Sequence, residues 1–171
     1  ASKLPSMDAL GWLFVRLSQL EKKSPVQMHI LLKELEAIGQ KSRSHEAENG
    51  FMLSHAKETW MDSIERAGCR VEIQTLQLAL YAFLHQKTKK KKYQHDLQRL
   101  EHKVRSKFWD SKNLSDGLHD ATIRPNMFIA YYAYPQLLTK EEWKECFDHA
   151  LKSLWLSWGG LATIDTKDAL F

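Results

Sequence analysis

Two polar stretches of the sequence, residues 49–62 and 116–126, carry carboxylates next to aromatic or histidine side chains. Trp60 stands two residues before Asp62 in the first stretch, and Asp120 lies in the second. An indole face can stack on the C–H face of a sugar while a carboxylate binds its hydroxyl groups. Two acids on opposite sides of a glycosidic bond can also protonate the leaving oxygen and activate water. The spacing is common in loops, so it supplies a sugar-hydrolase hypothesis and no more.

The elements that must position these residues are helices, because apolar residues recur with helical periodicity along most of the chain. Asp8 stands just ahead of the first helix, where a carboxylate can cap free N–H groups, and Gly39 helps to end the second. Thr139 and Glu142 form a capping box for the sixth. The predicted helices cover residues 10–20, 24–38 (opened by Ser24-Pro25, with Met28 on its inner face), 71–85, 90–108, 127–134 and 139–154.

No segment shows a convincing strand alternation, so the sequence predicts an all-α fold with two long polar loops, residues 41–62 and 110–123. Long loops in a compact domain are often functional. The chain contains no phosphate-binding glycine loop, no zinc-protease motif and no nucleophile elbow. ATP hydrolysis, zinc proteolysis and esterase chemistry therefore have no support.

The composition is that of one globular domain, with 43% hydrophobic and 27% charged residues among 171. No apolar run approaches the ~20 residues that span a bilayer, and no secretory signal is visible, so we expect no membrane contact. Cys69 and Cys146 match neither a disulfide framework nor a zinc motif. We expect structural thiols, a reducing cytoplasmic setting, and neither a metal nor an organic cofactor.

The positive charge is concentrated in residues 87–112, which carry ten Lys or Arg and three acidic residues, whereas the rest of the chain is slightly acidic. A solvated helix is the ordinary interpretation. The alternative function is a non-enzymatic helical module that binds polyanions through residues 87–107. Such binding would weaken steeply as the salt concentration rises. Because the basic charge is local, we do not expect nucleic acid to be the main partner.

Five blocks of the sequence resemble the amylo-alpha-1,6-glucosidase part of glycogen debranching enzymes. The blocks occur in the order expected for that family and together extend over nearly the whole chain. Any one of them alone is a weak signal, but together they are specific. They are the early helix start with Asp8 and Trp12, Glu58-Thr59-Trp60-Met61-Asp62, Val71-Glu72-Ile73-Gln74, Ile123-Arg124-Pro125-Asn126, and the segment from Leu156 to Asp165 containing Trp158-Gly159-Gly160.

The resemblance implies an (α/α)₆ barrel that hydrolyses α-1,6-glucosidic branch points of glycogen or starch with inversion. It implies that Asp62 is the general acid and that Asp120 is the general base. A general acid that is protonated near neutral pH needs its pKa raised by burial or by a like charge. The resemblance also implies five residues that bind or shape the substrate pocket, namely Trp60, Glu72, Arg124, Asn126 and Asp8.

Each acid of this candidate site also has a structural interpretation. Asp62 could cap a following helix or lie on a solvated loop, and Asp8 could be a cap only. Asp120 could be an N-cap, in which case Asp116 is the alternative base. Glu72 could act only on the dipole of its helix.

The other candidate residues are equally open to structural roles. Arg124 could be an ion-pair partner of Asp120 or Glu72, and Trp60 could be buried core. Two further groups are expected to be mostly core. They are Trp155 with Trp158, and Phe128 with Tyr131, Tyr132 and Tyr134.

The resemblance covers about half of such a barrel. We therefore expect residues 1–171 to form a single all-α domain that is a partial (α/α)₆ barrel, truncated at both ends. A partial barrel would expose surface that is normally interior, and self-association would then cover it. The expected partner is an α-glucan, with activity assigned to the parent protein rather than to this chain alone.

Overall fold

The structure, a computed structural model, describes residues 6–23, 31–169 and 171. Within these ranges it contains six α-helices, two short 3₁₀ turns and no β-strand, which confirms the all-α prediction. The predicted opening of the second helix at Ser24-Pro25, and Met28, lie outside the described residues. The helices are α1 (Ala9–Lys23), α2 (Leu32–Lys41), α3 (Val71–Thr88), α4 (Lys91–Phe108), α5 (Asn126–Ala133) and α6 (Lys140–Leu154).

Helix α3 forms the centre of the fold and contacts α1, α2, α4 and α5. Between Val71 and Leu84 every residue is buried except Ala82, which is partly exposed. A helix that is covered on all sides must also bury polar side chains, and each of these needs a hydrogen-bond partner. Gln74 meets this need by binding the backbone N–H and carbonyl of Met52, both at 2.8 Å.

Two glycines allow the neighbouring helices to approach α3 closely. A Cβ atom at Gly11 would lie 2.4 Å from the Cβ of Leu76, and one at Gly39 would lie 2.7 Å from a methyl carbon of Leu84. The expectation that Gly39 ends α2 is wrong, because the helix continues to Lys41. The glycine is inside the helix, where its missing side chain makes room for α3.

The aromatic residues of α5 and of the segment after α6 are more exposed than the sequence analysis expects. Tyr131 and Tyr132 are 45% and 52% exposed, whereas Tyr134 is buried as expected. Trp155 and Trp158 are 59% and 77% exposed. A core role is wrong for these four residues. Helix α5 packs against α3 and α6 and leaves its remaining surface open, and both tryptophans lie beyond the last helix.

The predicted capping box at the start of α6 is confirmed. The Thr139 hydroxyl accepts a hydrogen bond from the backbone N–H of Glu142 at 3.2 Å, and the Glu142 carboxylate accepts one from the backbone N–H of Thr139 at 2.8 Å. Arg105 of α4 binds the same carboxylate, with Nη1 2.9 Å from Oε2. This one side chain therefore both caps α6 and ties it to α4.

Glu142→Gln is expected to lower the free energy of unfolding at pH 7 by about 1 kcal/mol, the usual value of a cap or an exposed ion pair. Hydrogen bonds from Arg105 and the Thr139 backbone lower the pKa of Glu142 to about 2. Because this folded-state pKa lies below the ordinary value of 4.5, the stabilisation is present above that value and is lost as the pH falls towards 2. Urea denaturation at several pH values measures the free energy of unfolding of Glu142→Gln and of the unaltered chain. If the two values differed by the same amount from pH 7 down to pH 2.5, the assignment would be contradicted.

The basic stretch is extensively paired with neighbouring elements. Five of its side chains bind acidic side chains or backbone carbonyls. The pairs are Lys87 with Glu21, Lys90 with Glu36, Arg99 with Glu46, Lys103 with the carbonyl of Asn49, and Arg105 with Glu142. This pairing favours the ordinary interpretation of a solvated helix that holds its neighbours. Polyanion binding through residues 87–107 stays a prediction without a supporting contact.

Both cysteines are buried and unpaired. Burial raises the pKa of the Cys69 thiol, and it raises that of Cys146 to about 11, so both thiols are protonated at neutral pH. Among the described residues, no group of three His, Cys, Asp or Glu side chains is arranged to hold a metal ion. None of the helices in the described ranges is both long and apolar enough to cross a membrane.

Candidate active site

The two polar stretches meet at the N-terminal ends of α3 and α5. The backbone N–H of Val71, the first residue of α3, donates to the carbonyl of Asp116 at 3.1 Å. The indole N–H of Trp60 donates to the side-chain carbonyl of Asn126, the first residue of α5, at 2.9 Å. Three sequence blocks that are far apart in the chain are therefore in contact at one end of the helix pair.

Four buried charged side chains, Arg66, Arg70, Glu72 and Asp116, form an arginine–carboxylate cluster at this junction. The Arg66 guanidinium binds both oxygens of Glu72, at 2.9 and 3.3 Å, and both oxygens of Asp116, at 3.0 and 2.8 Å. Arg66 Nη1 also lies 3.2 Å from the hydroxyl of Thr59. A fork-shaped guanidinium that satisfies two carboxylates has the geometry in which buried charges are tolerated.

Asp116 is the most enclosed member of this cluster, with a side chain that is 0% exposed. Its carboxylate accepts four hydrogen bonds. The donors are Nε and Nη2 of Arg66, Nη1 of Arg70 and Nδ2 of Asn126. A carboxylate bound on all sides cannot reach a sugar or its attacking water. Of the two acids in the second polar stretch, only Asp120 is open to a ligand.

Asp120 lies at the edge of the cluster, and its side chain is 33% exposed. Its Oδ2 accepts from Arg70 Nη1 at 2.6 Å, and its Oδ1 accepts from the hydroxyl and backbone N–H of Thr122. Partial burial raises the pKa of Asp120, but the hydrogen bonds from Thr122 and Arg70 outweigh it and the net pKa is below its ordinary value. The residue also lines a cavity of about 300 Å³. An ionised carboxylate facing a cavity can accept a proton from water.

Glu72 lies in the first turn of α3, as expected, but its carboxylate does not face an open pocket. The residue is 0% exposed, and both of its oxygens bind Arg66. Burial raises the pKa of Glu72, and the hydrogen bond from Arg66 opposes that shift. The geometry favours a positioning role, in which Glu72 holds Arg66 and Arg66 holds Asp116.

Asp62 follows Trp60 on an exposed turn. Trp60 is 45% exposed while its N–H is anchored on Asn126, and the sulfur of Met61 lies 3.5 Å from Nδ2 of the same Asn126. Asp62 caps no described helix, because the next helix begins at Val71. The two residues before Asp62 are thus anchored on Asn126, and Asp62 itself is exposed to solvent.

Asp8 lies close to the first polar stretch but has structural contacts of its own. Its carboxylate accepts from the Ser6 hydroxyl at 2.5 Å, and its carbonyl accepts from the backbone N–H of Trp12 at the start of α1. The backbone N–H of Met7 donates to the carbonyl of Glu58 at 2.8 Å. Asp8 is buried, so direct binding of a sugar by Asp8 stays a prediction.

Arg124 acts as an ion-pair partner, but of a different acid from those expected. Its Nε lies 3.7 Å from Oδ2 of Asp116, rather than being paired with Asp120 or Glu72. Its Nη1 donates to the carbonyl of Thr163 at 3.1 Å. Arg124 therefore links the arginine–carboxylate cluster to the segment that follows α6.

The residues that sequence reasoning missed are Arg66 and Arg70. Neither belongs to a recognised block or to a periodic apolar pattern, and both lie in the irregular segment before α3. Their partner Asp116 is about fifty positions away in the chain. The one signal is Glu72, an acid at the start of a strongly apolar helix, since a buried carboxylate requires a cationic partner.

Comparison with known proteins tests the resemblance independently. The profile of the amylo-alpha-1,6-glucosidase family matches residues 25–171 of the chain. A comparison with curated proteins found no match to the chain. The matched range contains the Trp60 turn, the whole arginine–carboxylate cluster, Asp120 and the segment after α6. Because that range is most of the sequence, the chain belongs to the amylo-alpha-1,6-glucosidase family.

Proposed function

We propose that this chain carries the catalytic carboxylates of an α-1,6-glucosidase that removes glucose from branch points of an α-glucan such as glycogen or starch. The observation that carries the proposal is the junction at the helix ends. There the Trp60 turn, the start of α3 and the start of α5 are joined through Asn126 and Asp116. These are the blocks that resemble the family, and they are brought together by direct hydrogen bonds.

The proposed acid is Asp62. It would donate its proton to the oxygen that leaves with the main glucan chain, as the bond from that oxygen to C1 of the branch glucose breaks. Trp60 would hold the pyranose ring by stacking. Asp62 is exposed in the free chain, so the bound glucan itself would enclose its carboxyl group.

The proposed base is Asp120. It would remove a proton from a water molecule whose oxygen bonds to C1 on the face opposite the leaving group. The lowered pKa of Asp120 keeps it ionised at neutral pH, as a general base requires. The proton of Asp62 enters the leaving hydroxyl, and the proton removed from water goes to Asp120. Exchange with solvent then removes the proton from Asp120 and returns one to Asp62, which restores both residues.

The remaining residues of the site would position these two. Arg70 binds Asp120 directly, and Arg66 with Glu72 holds the fully buried Asp116 on which Asn126 is also bound. Asn126 in turn orients Trp60. We propose further that the six helices are part of an (α/α)₆ barrel, supported by the central buried α3 and by family membership.

The test is hydrolysis of a dextrin that carries single α-1,6-linked glucose branches, followed by proton NMR during the first minutes. An inverting single displacement releases β-glucose first, and the α-anomer accumulates later by mutarotation. A linear α-1,4 dextrin serves as the control and should release little glucose. Release of α-glucose first would overturn the inverting mechanism, and no release from the branched dextrin would overturn the proposal for this chain.

A further inference from the structure

Three of the six tryptophans of the chain, all of which are described, are exposed: Trp60, Trp155 and Trp158. The last two belong to one short hairpin after α6, here called the tryptophan hairpin, residues 155–161. Its backbone is closed by hydrogen bonds from Leu156 N–H to the Gly160 carbonyl and from Gly159 N–H to the Leu156 carbonyl, both at 2.9 Å. Two exposed indoles within four residues, on a hydrogen-bonded turn, form a candidate binding surface.

Gly160 packs against the indole ring of Trp158. A Cβ atom at Gly160 would fall 1.9 Å from Cη2 of Trp158, 2.2 Å from Cζ3 and 2.4 Å from Cζ2. If the Cβ position lay in the plane of the ring, beyond its edge at Cη2, it would be much further from Cζ3 and Cζ2 than from Cη2. The three distances are instead similar, so Gly160 lies against the face of the indole ring. One face of Trp158 rests on the glycine, and the residue remains 77% exposed.

The hairpin is also tied to the candidate active site. Arg124, whose Nε lies 3.7 Å from the buried Asp116 carboxylate, donates from Nη1 to the carbonyl of Thr163 at 3.1 Å. Thr163 follows the hairpin by two residues. The chain segment that leaves the hairpin is thus bound, through Arg124, to the arginine–carboxylate cluster.

The chemistry of the hairpin favours a neutral ligand. No charged residue lies between Trp155 and Leu161, and the polar groups there are the Ser157 hydroxyl, the Trp158 indole N–H and the backbone. A phosphate-bearing ligand would have no cation to pair with on this hairpin. A pyranose ring has an apolar C–H face that fits an open indole face, and hydroxyl groups that remain in water. An aromatic face fixed in advance loses little entropy on binding.

We propose that Trp158 is a stacking platform for a glucose residue of the bound α-glucan chain. Gly160 packs against one face of the indole and fixes the orientation of the ring, so that the other face is free to bind. This inference rests on the proposed function, since it deepens the substrate assignment of the same site. It assigns a ligand contact to a tryptophan that the sequence analysis expects to be core.

The test is titration of the full chain with maltoheptaose, a linear α-1,4 glucan, by calorimetry. Trp158→Ala is expected to raise the Kd about tenfold, which corresponds to about 1.4 kcal/mol, and Trp158→Phe to recover part of the affinity. Gly160→Ala should weaken binding as well, because its methyl group displaces the ring. Tyr132→Ala is the matched control, since Tyr132 is an exposed aromatic residue that hydrogen-bonds Gln19 of α1, and it should leave the Kd unchanged.

The outcomes separate the platform from the hydrolase. If Trp158→Ala binds maltoheptaose as tightly as the unaltered chain, or if neither binds, the platform is wrong. If binding depends on Trp158 but branched dextrin yields no glucose, the platform stands and the proposed hydrolysis by this chain fails. Light scattering tests the competing possibility that a second copy of the chain binds the hairpin. A concentration-dependent dimer that Trp158→Ala abolishes would make the hairpin a protein interface and overturn the proposal.

Discussion

Asp62→Asn is expected to lower kcat for glucose release from branched dextrin by about 10²–10⁴-fold, the usual contribution of a general acid. An amide cannot donate a proton to the leaving oxygen, whereas its size and hydrogen-bonding groups preserve the turn. Trp60 and Met61 remain anchored on Asn126 in this variant, so KM should change little. Steady-state release of glucose at several dextrin concentrations separates kcat from KM.

A substrate with a good leaving group distinguishes the acid from the base. α-Glucosyl fluoride needs little protonation of its leaving fluoride, so Asp62→Asn should recover most of its activity on that substrate. Asp120→Asn should lose activity on both substrates, because attack by water still requires a base. Equal loss on both substrates for Asp62→Asn would contradict its assignment as the acid.

The control for Asp62→Asn is Glu65→Gln in the same loop. Glu65 is an exposed carboxylate that lies 3.8 Å from the Lys57 ammonium, and it has no role in the proposed mechanism. Glu65→Gln makes the same carboxyl-to-amide change in the same loop. Activity of Glu65→Gln close to that of the unaltered chain would show that the Asp62 effect is specific to the proton donor.

The helices could be predicted from sequence because apolar periodicity and capping residues are local signals. The capping box of Thr139 and Glu142 is a clear example, since both partners lie within one turn. Gly39 misled the prediction for the opposite reason. A glycine that ends a helix and one that admits a neighbouring helix look alike in sequence, and only the contact with Leu84 distinguishes them.

The candidate site could be predicted only in part. The blocks around Asp62, Glu72 and Asn126 are short contiguous motifs, so they can be recognised directly in the sequence. The arginine–carboxylate cluster depends on pairing between Arg66 and Asp116 across fifty positions, and no local pattern encodes such a contact. The exposure of Trp158 was missed for a similar reason. The sequence alone does not distinguish a tryptophan exposed on a hairpin turn from one buried in the core.

The largest stability effect is expected at Arg66. Arg66→Met keeps much of the side-chain volume but removes the guanidinium from a site where both carboxylate partners are buried. Removing one partner of a buried ion pair leaves an uncompensated charge and typically costs about 3–5 kcal/mol. Here two carboxylates lose their shared donor, although Asp116 keeps Arg70 and Asn126. We expect a loss near the middle of that range, measured by urea denaturation at pH 7.

The control is Lys57→Met, which removes an exposed cation whose nearest carboxylate, on Glu65, is 3.8 Å away. An exposed pair is worth about 0–1 kcal/mol, so this variant reports the effect of charge removal without burial. Combining Arg66→Met with Glu72→Gln should cost less than the sum of the two single changes, because the amide no longer needs a cation. If Arg66→Met costs no more than Lys57→Met, the cluster does not hold the ends of α3 and α5 together. Asp62 and Asp120 would then have to be positioned by the backbone of the two loops alone.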